Sequence, residues 1–285
     1  MEAVHSRRRS TSRCALPRTG RRCRTVDVQH QRHDALIRQQ FRSQAATFTD
    51  KGFAARGLDW LTEFLAPREQ IQVLEVAAGA GHLGRAIASK VAHVSAIDIT
   101  PEMLEQGHRL ATDSEITNIA FLVGNAMDLP WIHEQFDLTV TRLSLHQVVN
   151  PAGMIKEMAR VTRRGGQVAV IDMVTEDDPR VAIEVNRLER LRDPSHGRTL
   201  SRSEIADLVS DAGLHIDKTE ERDQPLDFED WLERTSTPPE DREAIRRCVE
   251  EDLNGGTPTG LRPERDASSA ITLTHPWLAV LATRR

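Results

Sequence analysis

The sequence predicts a doubly wound α/β fold with a mostly parallel sheet, on three observations. Residues 72–88 read as a short strand, a glycine turn and a helix. Downstream, apolar strand-like runs alternate with helical patterns, the rhythm of crossover units in which each helix returns the chain to a parallel neighbour. And 285 residues, 39% hydrophobic and 28% charged, suffice to bury the core such a sheet needs.

Taken in order, residues 1–33 carry nine arginines against Glu2 and Asp27 with almost no apolar pattern, so a disordered basic tail is expected there. Ser6-Arg7-Arg8 has a twin-arginine look, but no apolar segment follows, which argues against export. From Asp34 onward, Ile37, Phe41, Ala45 and Phe48 fall on one helical stripe, and a second helix is expected at about 55–65, closed by Pro67. The first strand spans about 71–76, and the second, 93–97, ends at Asp98. Thr100-Pro101-Glu102-Met103 then opens a helix with a capping residue, a proline at the first position and an acid in the first turn. Strands three and four are expected at 118–123 and 136–141. The helix over 151–162 ends at Arg163-Arg164-Gly165-Gly166, before a fifth strand at 167–172. Helices near 179–191 and 201–212, a sixth strand at 214–219, a polar helical stretch over 228–252 and a last strand at 277–282 complete the chain. This divides it into a tail (1–33), N-terminal helices (34–66), a nucleotide-binding core (67–175), a cap insert with the sixth strand (176–275) and the closing strand (276–285).

The net charge of −5 hides an asymmetry: outside the first 33 residues, 29 basic face 41 acidic side chains, a net of −12. An acidic body gives no footprint for nucleic acid, so only the tail could bind a polyanion. No apolar run approaches the ~18 residues of a membrane span. The three cysteines, Cys14, Cys23 and Cys248, show no metal spacing, as expected of reduced thiols in the cytoplasm.

Gly79-Ala80-Gly81-His82-Leu83-Gly84 satisfies G-x-G-x-x-G, and Asp98 lies 19 residues after Gly79. This fits a dinucleotide fingerprint with Asp98 on a ribose hydroxyl, although Glu75 interrupts the strand that a dehydrogenase keeps apolar. Four blocks in register point elsewhere: Val73-Leu74-Glu75-Val76 with Gly79-x-Gly81; Ile97 through Leu104; Gly124-Asn125-Ala126-Met127-Asp128-Leu129-Pro130; and Phe136-Asp137 through Arg163-Arg164-Gly165-Gly166. On these the chain resembles class I S-adenosylmethionine-dependent methyltransferases over about residues 70–175. It is most similar to the ubiquinone/menaquinone-biosynthesis subgroup, which methylates small molecules. Arg192-Asp193-Pro194-Ser195-His196 also resembles a segment of some bacterial members.

The resemblance implies a Rossmann-like, seven-stranded sheet and S-adenosylmethionine contacts at Glu75, Ala77, Gly79, Gly81, Asp98, Ile99, Met103, Asn125, Ala126, Met127 and Arg142. Asp98 can accept from two ribose hydroxyls. Asn125 stands where the family has an acid, and its amide oxygen can still accept from the adenine amino group. Met103 and Met127 either pack on the adenine or fill the core. Backbone N–H groups around Ala78–Gly81 suit the methionine carboxylate, and Glu75 or the Ala77 carbonyl suits the ammonium. Glu75 could instead cap nearby backbone N–H groups, and Ala77 must tolerate a Cβ where many members have glycine.

The sulfonium is already activated, so the protein has to align a nucleophile and exclude water. In open α/β sheets the crevice lies beyond the carboxyl ends of the strands, which places the segment after strand four near the methyl. His146 is the candidate general base, or a histidine hydrogen-bonded at a helix start. Arg142 either positions a substrate oxygen or pairs with an acid. Arg192 and His196, in the insert, are candidate substrate contacts, with His196 also a candidate for catalysis. His82 is expected to cap or pack. Phe41 and Phe48 either cover the crevice as part of a lid or join the core. The expected partner is a small-molecule acceptor, with no nucleic acid, membrane or metal, and a homodimer is left open. A nicotinamide-dependent oxidoreductase, a cofactor-binding protein without transfer activity, and an RNA methyltransferase anchored by the arginine arm remain alternatives.

Overall fold

The computed structural model describes residues 28–285; the expectations for residues 1–27, including an arginine anchor for RNA, lie outside the described residues. Chain order is α1 (Val28–Gln44), α2 (Leu58–Leu65), β1 (Gln72–Val76), α3 (His82–Ile87), β2 (His93–Asp98), α4 (Pro101–Asp113), β3 (Ile119–Val123), β4 (Phe136–Arg142), α5 (Pro151–Val161), β5 (Thr162–Thr175), α6 (Pro179–Arg192), β6 (Leu200–Ser201), α7 (Arg202–Asp211), β7 (Leu214–Asp227), α8 (Phe228–Glu233), α9 (Pro239–Leu253), β8 (Glu264–Arg265) and β9 (Ile271–Arg284). The sheet runs β3-β2-β1-β4-β5-β9-β7, with β6 beside β5 and β8 beside β9. Strands β1 to β5 pair in parallel, and β9 lies antiparallel between β5 and β7. The expected mostly parallel seven-stranded sheet is the central path, and the reversal at β1/β4 places the crevice above the ends of those two strands.

Alternation of side chains along the strands builds two layers. Val73, Val94, Leu138, Val140, Ala169 and Ile171 face Trp60, Leu61 and Phe64 of α2 and Leu83 and Ile87 of α3. Leu74, Val76, Ile97, Val168 and Val170 face Met154, Ile155 and Met158 of α5 and Ile205 and Val209 of α7. A third cluster, around Leu188, Phe228, Trp231, Ile245 and Leu273, forms the cap.

Several boundaries differ from the sequence reading. Helix α1 starts at Val28, inside the stretch expected to be disordered to residue 33, and stops at Gln44; Ala45–Thr47 is a 3-10 turn. Thr100 does not cap α4 with its side chain; Asp98 Oδ1 accepts the Thr100 N–H at 2.8 Å instead. The end strands β7 and β9 run 14 residues each, far past the apolar cores at 214–219 and 277–282. β7 is an edge strand, so its exposed polar residues and Pro225 cost the ladder nothing. The polar stretch over 228–252 is two helices rather than one, broken before Pro239. The Ser201/Glu204 capping box starts α7.

Candidate active site

One cavity opens above the carboxyl ends of β1, β2 and β4, roofed by α1 and walled by the cap. Its floor is the turn after β1. Ala77, Gly79 and Gly81 all take left-handed backbone, at φ of 53°, 55° and 63°. A Cβ on Gly81 would lie 2.8 Å from Phe121 Cε1, so glycine is required there for packing as well as conformation. The N–H groups of Ala78, Gly79 and Gly81 are spent internally, on the Ile97 carbonyl at 3.0 Å, Asp98 Oδ2 at 2.8 Å and the Ala78 carbonyl at 2.8 Å. The expectation that these three would receive a ligand carboxylate is therefore corrected: the turn uses them to hold its own shape.

Glu75 is buried at the end of β1, and its Oε2 accepts the Gly84 N–H at 2.8 Å, so it does cap α3 while also lining the cavity. Burial pushes its carboxyl up to about 7, with the Gly84 hydrogen bond partly opposing. Asp98, also buried, accepts from Gly79 and Thr100 with one oxygen each. Burial raises its pKa against these bonds, and each carboxylate oxygen keeps a further lone pair for a ligand hydroxyl.

Beyond β2 and β3, Ile99, Met103, Asn125 and Ala126 line the cavity as expected. Met127 does not. It packs on the core, and its N–H donates to Asn125 Oδ1 at 2.9 Å. The Asn125 amide nitrogen donates to Asp34 Oδ2 at 3.0 Å, and Asp34 lines the cavity too. The acid that position 125 lacks is thus supplied next to it by α1. Phe41 and Phe48, ring centroids 6.2 Å apart, cluster with Ala45, Ala80 and Met103. They line the cavity at its Met103 end, packed together as a small apolar cluster. Gln44 shares this wall, its amide nitrogen buried without a partner.

At the other end, beyond β4 and β5, His146 Nδ1 lies 2.5 Å from Asp172 Oδ1, and the His146 N–H donates to Asp172 Oδ2 at 3.1 Å. Burial works against protonation of the imidazole, but the charge and hydrogen bond of Asp172 outweigh it and raise the pKa above the usual histidine value. Arg142 lines the cavity without pairing to an acid. Its two Nη groups donate to the carbonyls of Ala54 and Arg56 at 2.7 and 2.8 Å, and its Nε–H has no partner. Arg192 also lines the cavity, held by Glu189 at 3.0 Å and stacked on Trp231. His196 is corrected: it is buried outside the cavity lining, bonded through Nε2 to Asn186 Oδ1 at 2.9 Å, its ring 5.7 Å from that of His146. His82 packs as expected, its Nε2 lying 3.2 Å from the Thr49 carbonyl. Burial and the neighbouring Arg85 hold it down at about 4, hence neutral.

The sequence reading missed Asp34, Asp172, Trp231, Arg234 and His275. Asp172 carried a signal, an acid at the end of an apolar strand facing the segment after β4. The cap residues carried none, because long-range pairing of β7 with β9 brings them in. Among the described residues no group of three or more His, Cys, Asp or Glu could hold a metal, and no helix is long and apolar enough to cross a membrane.

A family model described as "Methyltransferase domain" matches residues 67–213. The chain is 31% identical over 200 residues, 70% of its length and 79% of the relative's, to the uncharacterized methyltransferase YcgJ of Bacillus subtilis. It is 35% identical over 121 residues, 42% of its length and 48% of the relative's, to the demethylmenaquinone methyltransferase of Clavibacter sepedonicus. The crystal structure of the Bacillus subtilis YcgJ protein superposes with a TM-score of 0.74 at 26% identity, covering 81% of this chain and 99% of that one.

Proposed function

The chain belongs to the class I S-adenosylmethionine-dependent methyltransferases, and on that premise we propose that it methylates a small molecule held between the cap and the His146–Asp172 pair. The dinucleotide reading of the glycine turn falls with that membership. The observation that carries the acceptor reading is that one cavity joins the glycine turn to a buried histidine–carboxylate pair and is closed on the far side by the cap. The partial match to demethylmenaquinone methyltransferase, whose name specifies a small-molecule acceptor, supports the same class.

The residues fit the cofactor by their own geometry. The left-handed turn leaves no Cβ at Gly79 or Gly81, where one on Gly79 would stand 3.0 Å from Met103 Cε. In this reading Asp98 takes the ribose hydroxyls with its remaining lone pairs, Met103 and Phe41 cover the adenine, and Asp34 beside Asn125 accepts from the exocyclic amine. Glu75 receives the ammonium. The Gln44 amide nitrogen, buried and unpartnered, is the donor for the carboxylate in place of the spent turn N–H groups. When bound, the sulfonium supplies an electrophilic methyl group.

The chain's contribution to the reaction is placement and proton removal. Asp172 accepts from Nδ1–H of His146 and so fixes the neutral tautomer whose Nε2 lone pair can take a proton from an acceptor hydroxyl or carbon. Arg142 ties the end of β4 to the segment at 54–56, which closes the cavity from above. The test is incubation of the protein with methyl-labelled S-adenosylmethionine and a cell extract split into metabolite, RNA and protein fractions. Label is expected in the metabolite fraction and should fall by about 10²–10⁴-fold with His146→Ala. Label confined to RNA or protein would overturn the proposal.

A further inference from the structure

At the cap end of the cavity, hydrogen-bond donors lack acceptors. Arg234, which closes α8, lines the cavity with its guanidinium over the Phe53 ring, 4.1 Å from the centroid. Among the described residues no carboxylate is ion-paired or hydrogen-bonded to it. The largest electrostatic influence on it is another cation, Arg192, which Glu189 holds through Oε2 at 3.0 Å; the Glu189 and Asp230 carboxylates act on the Arg234 guanidinium in the opposite sense without bonding it. Burial, reinforced by Arg192, holds Arg234 down at about 9, which still leaves it charged at neutral pH. Two buried donors on the same lining also have no acceptor, the Trp231 indole N–H and the Arg142 Nε–H. A guanidinium lying on a ring face keeps its N–H edge free for a planar acceptor.

We propose that the methyl acceptor carries an anionic oxygen group, a carboxylate or a phosphate monoester, held by Arg234 with the Trp231 indole N–H beside it. This rests on the reading of the cavity as the acceptor site. An ionised carboxylate or phosphate offers acceptors and no competing donors, so it meets the unpartnered N–H groups and a guanidinium that no described carboxylate bonds. Phe53 covers one face of the guanidinium, which directs the anion to its edge. A neutral acceptor would leave Arg234 as a partly buried cation beside a second cation.

Calorimetric titration of the full chain saturated with S-adenosylhomocysteine tests this, using 4-hydroxybenzoate, phenyl phosphate and neutral 4-hydroxybenzamide as probes. At least one anion should bind tenfold or more tighter than the amide, and the carboxylate and phosphate arms decide between the two groups. Arg234→Gln should abolish the preference and Arg234→Lys restore part of it, with S-adenosylhomocysteine affinity within twofold of the native protein in both. Equal binding of amide and anions, no binding of either anion, or an unchanged preference in Arg234→Gln overturns the assignment. Failure of the native protein to bind S-adenosylhomocysteine would overturn the cofactor reading itself, and is seen before any probe is added.

Discussion

Replacing Glu75 with glutamine tests the amino-acid end of the cofactor site through a proton count. In the free protein burial pushes the Glu75 carboxyl up to about 7. It therefore carries about half a proton at pH 7 and about nine-tenths at pH 6. An ammonium placed against it favours the carboxylate, so S-adenosylhomocysteine should expel close to those amounts on binding. The ligand prefers the deprotonated protein, so affinity falls as pH drops below 7, by about tenfold per unit until the pKa of the bound state is reached. The ligand's own amine, with an ordinary pKa of ~7.7–8.0, is mostly protonated across this window. Calorimetry in buffers of different ionisation enthalpy reads the number of protons released. Glu75→Gln keeps an oxygen for the Gly84 N–H but removes the titrating group, so the release should vanish. Loss of a charge-assisted bond of about 1.5–3 kcal/mol should weaken binding tenfold or more. A release that survives in Glu75→Gln, or none in the native protein at pH 6, refutes the reasoning.

Four further outcomes follow from the same site. Asp98→Ala should weaken S-adenosylhomocysteine by about 100-fold or more, since it removes charge-assisted acceptors worth about 1.5–3 kcal/mol each; unchanged affinity in a binding titration would remove Asp98 from the cofactor site. Because His146 works as a base only when neutral and its pKa is raised, kcat should climb with pH through a midpoint above ~6.5. Asp172→Asn should shift that midpoint down and lower kcat, whereas an unmoved pH profile would separate Asp172 from the base. The same raised value stabilises the fold below the ordinary imidazole pKa, and that contribution is lost as pH rises through the folded value. Asp172→Asn should therefore lose more stability at pH 5 than at pH 9 in denaturant titrations. Ala77, at φ 53°, bears a left-handed cost of about 1–2 kcal/mol, of which glycine's greater chain entropy returns about 0.5–1. Ala77→Gly should raise the melting temperature by about 2 °C, and a lower value would show that the Cβ is needed for packing.

Much of the fold was legible because β1, β2, β4 and the centre of β5 are largely buried and announce themselves as mostly apolar runs, as Val168–Ile171 does. The far edge was not. Strand β7 is mostly exposed and polar, so its register with β9 comes from backbone pairing that no side-chain period records. The site divides along the same line. Glu75, Gly79, Gly81, Asp98 and His146 sit at strand ends or the turns after them, where a residue's place in the chain nearly fixes its place in space. Met127 and His196 followed a cavity residue and a matched segment in sequence, yet each turns into packing, Met127 on the core and His196 on Asn186. Asp34 escaped notice because only the folded position of α1 brings it to Asn125.

The long final strand has a bearing on how molecules come and go. β9 pairs with β5 from Gln167 to Met173 and with β7 from Leu214 to Asp227, so the cap grows out of the sheet's own upper edge. Swinging the β7–β9 part of it aside would mean unzipping the ladder. Helix α1 is fastened over the cavity by side-chain latches: His33 to the Gln147 carbonyl at 2.6 Å, Asp34 to Asn125 at 3.0 Å and Gln40 to the Thr235 carbonyl of the cap at 3.0 Å. The first latch closes on the residue after His146, so the position of α1 and that of the His146 segment are mechanically joined.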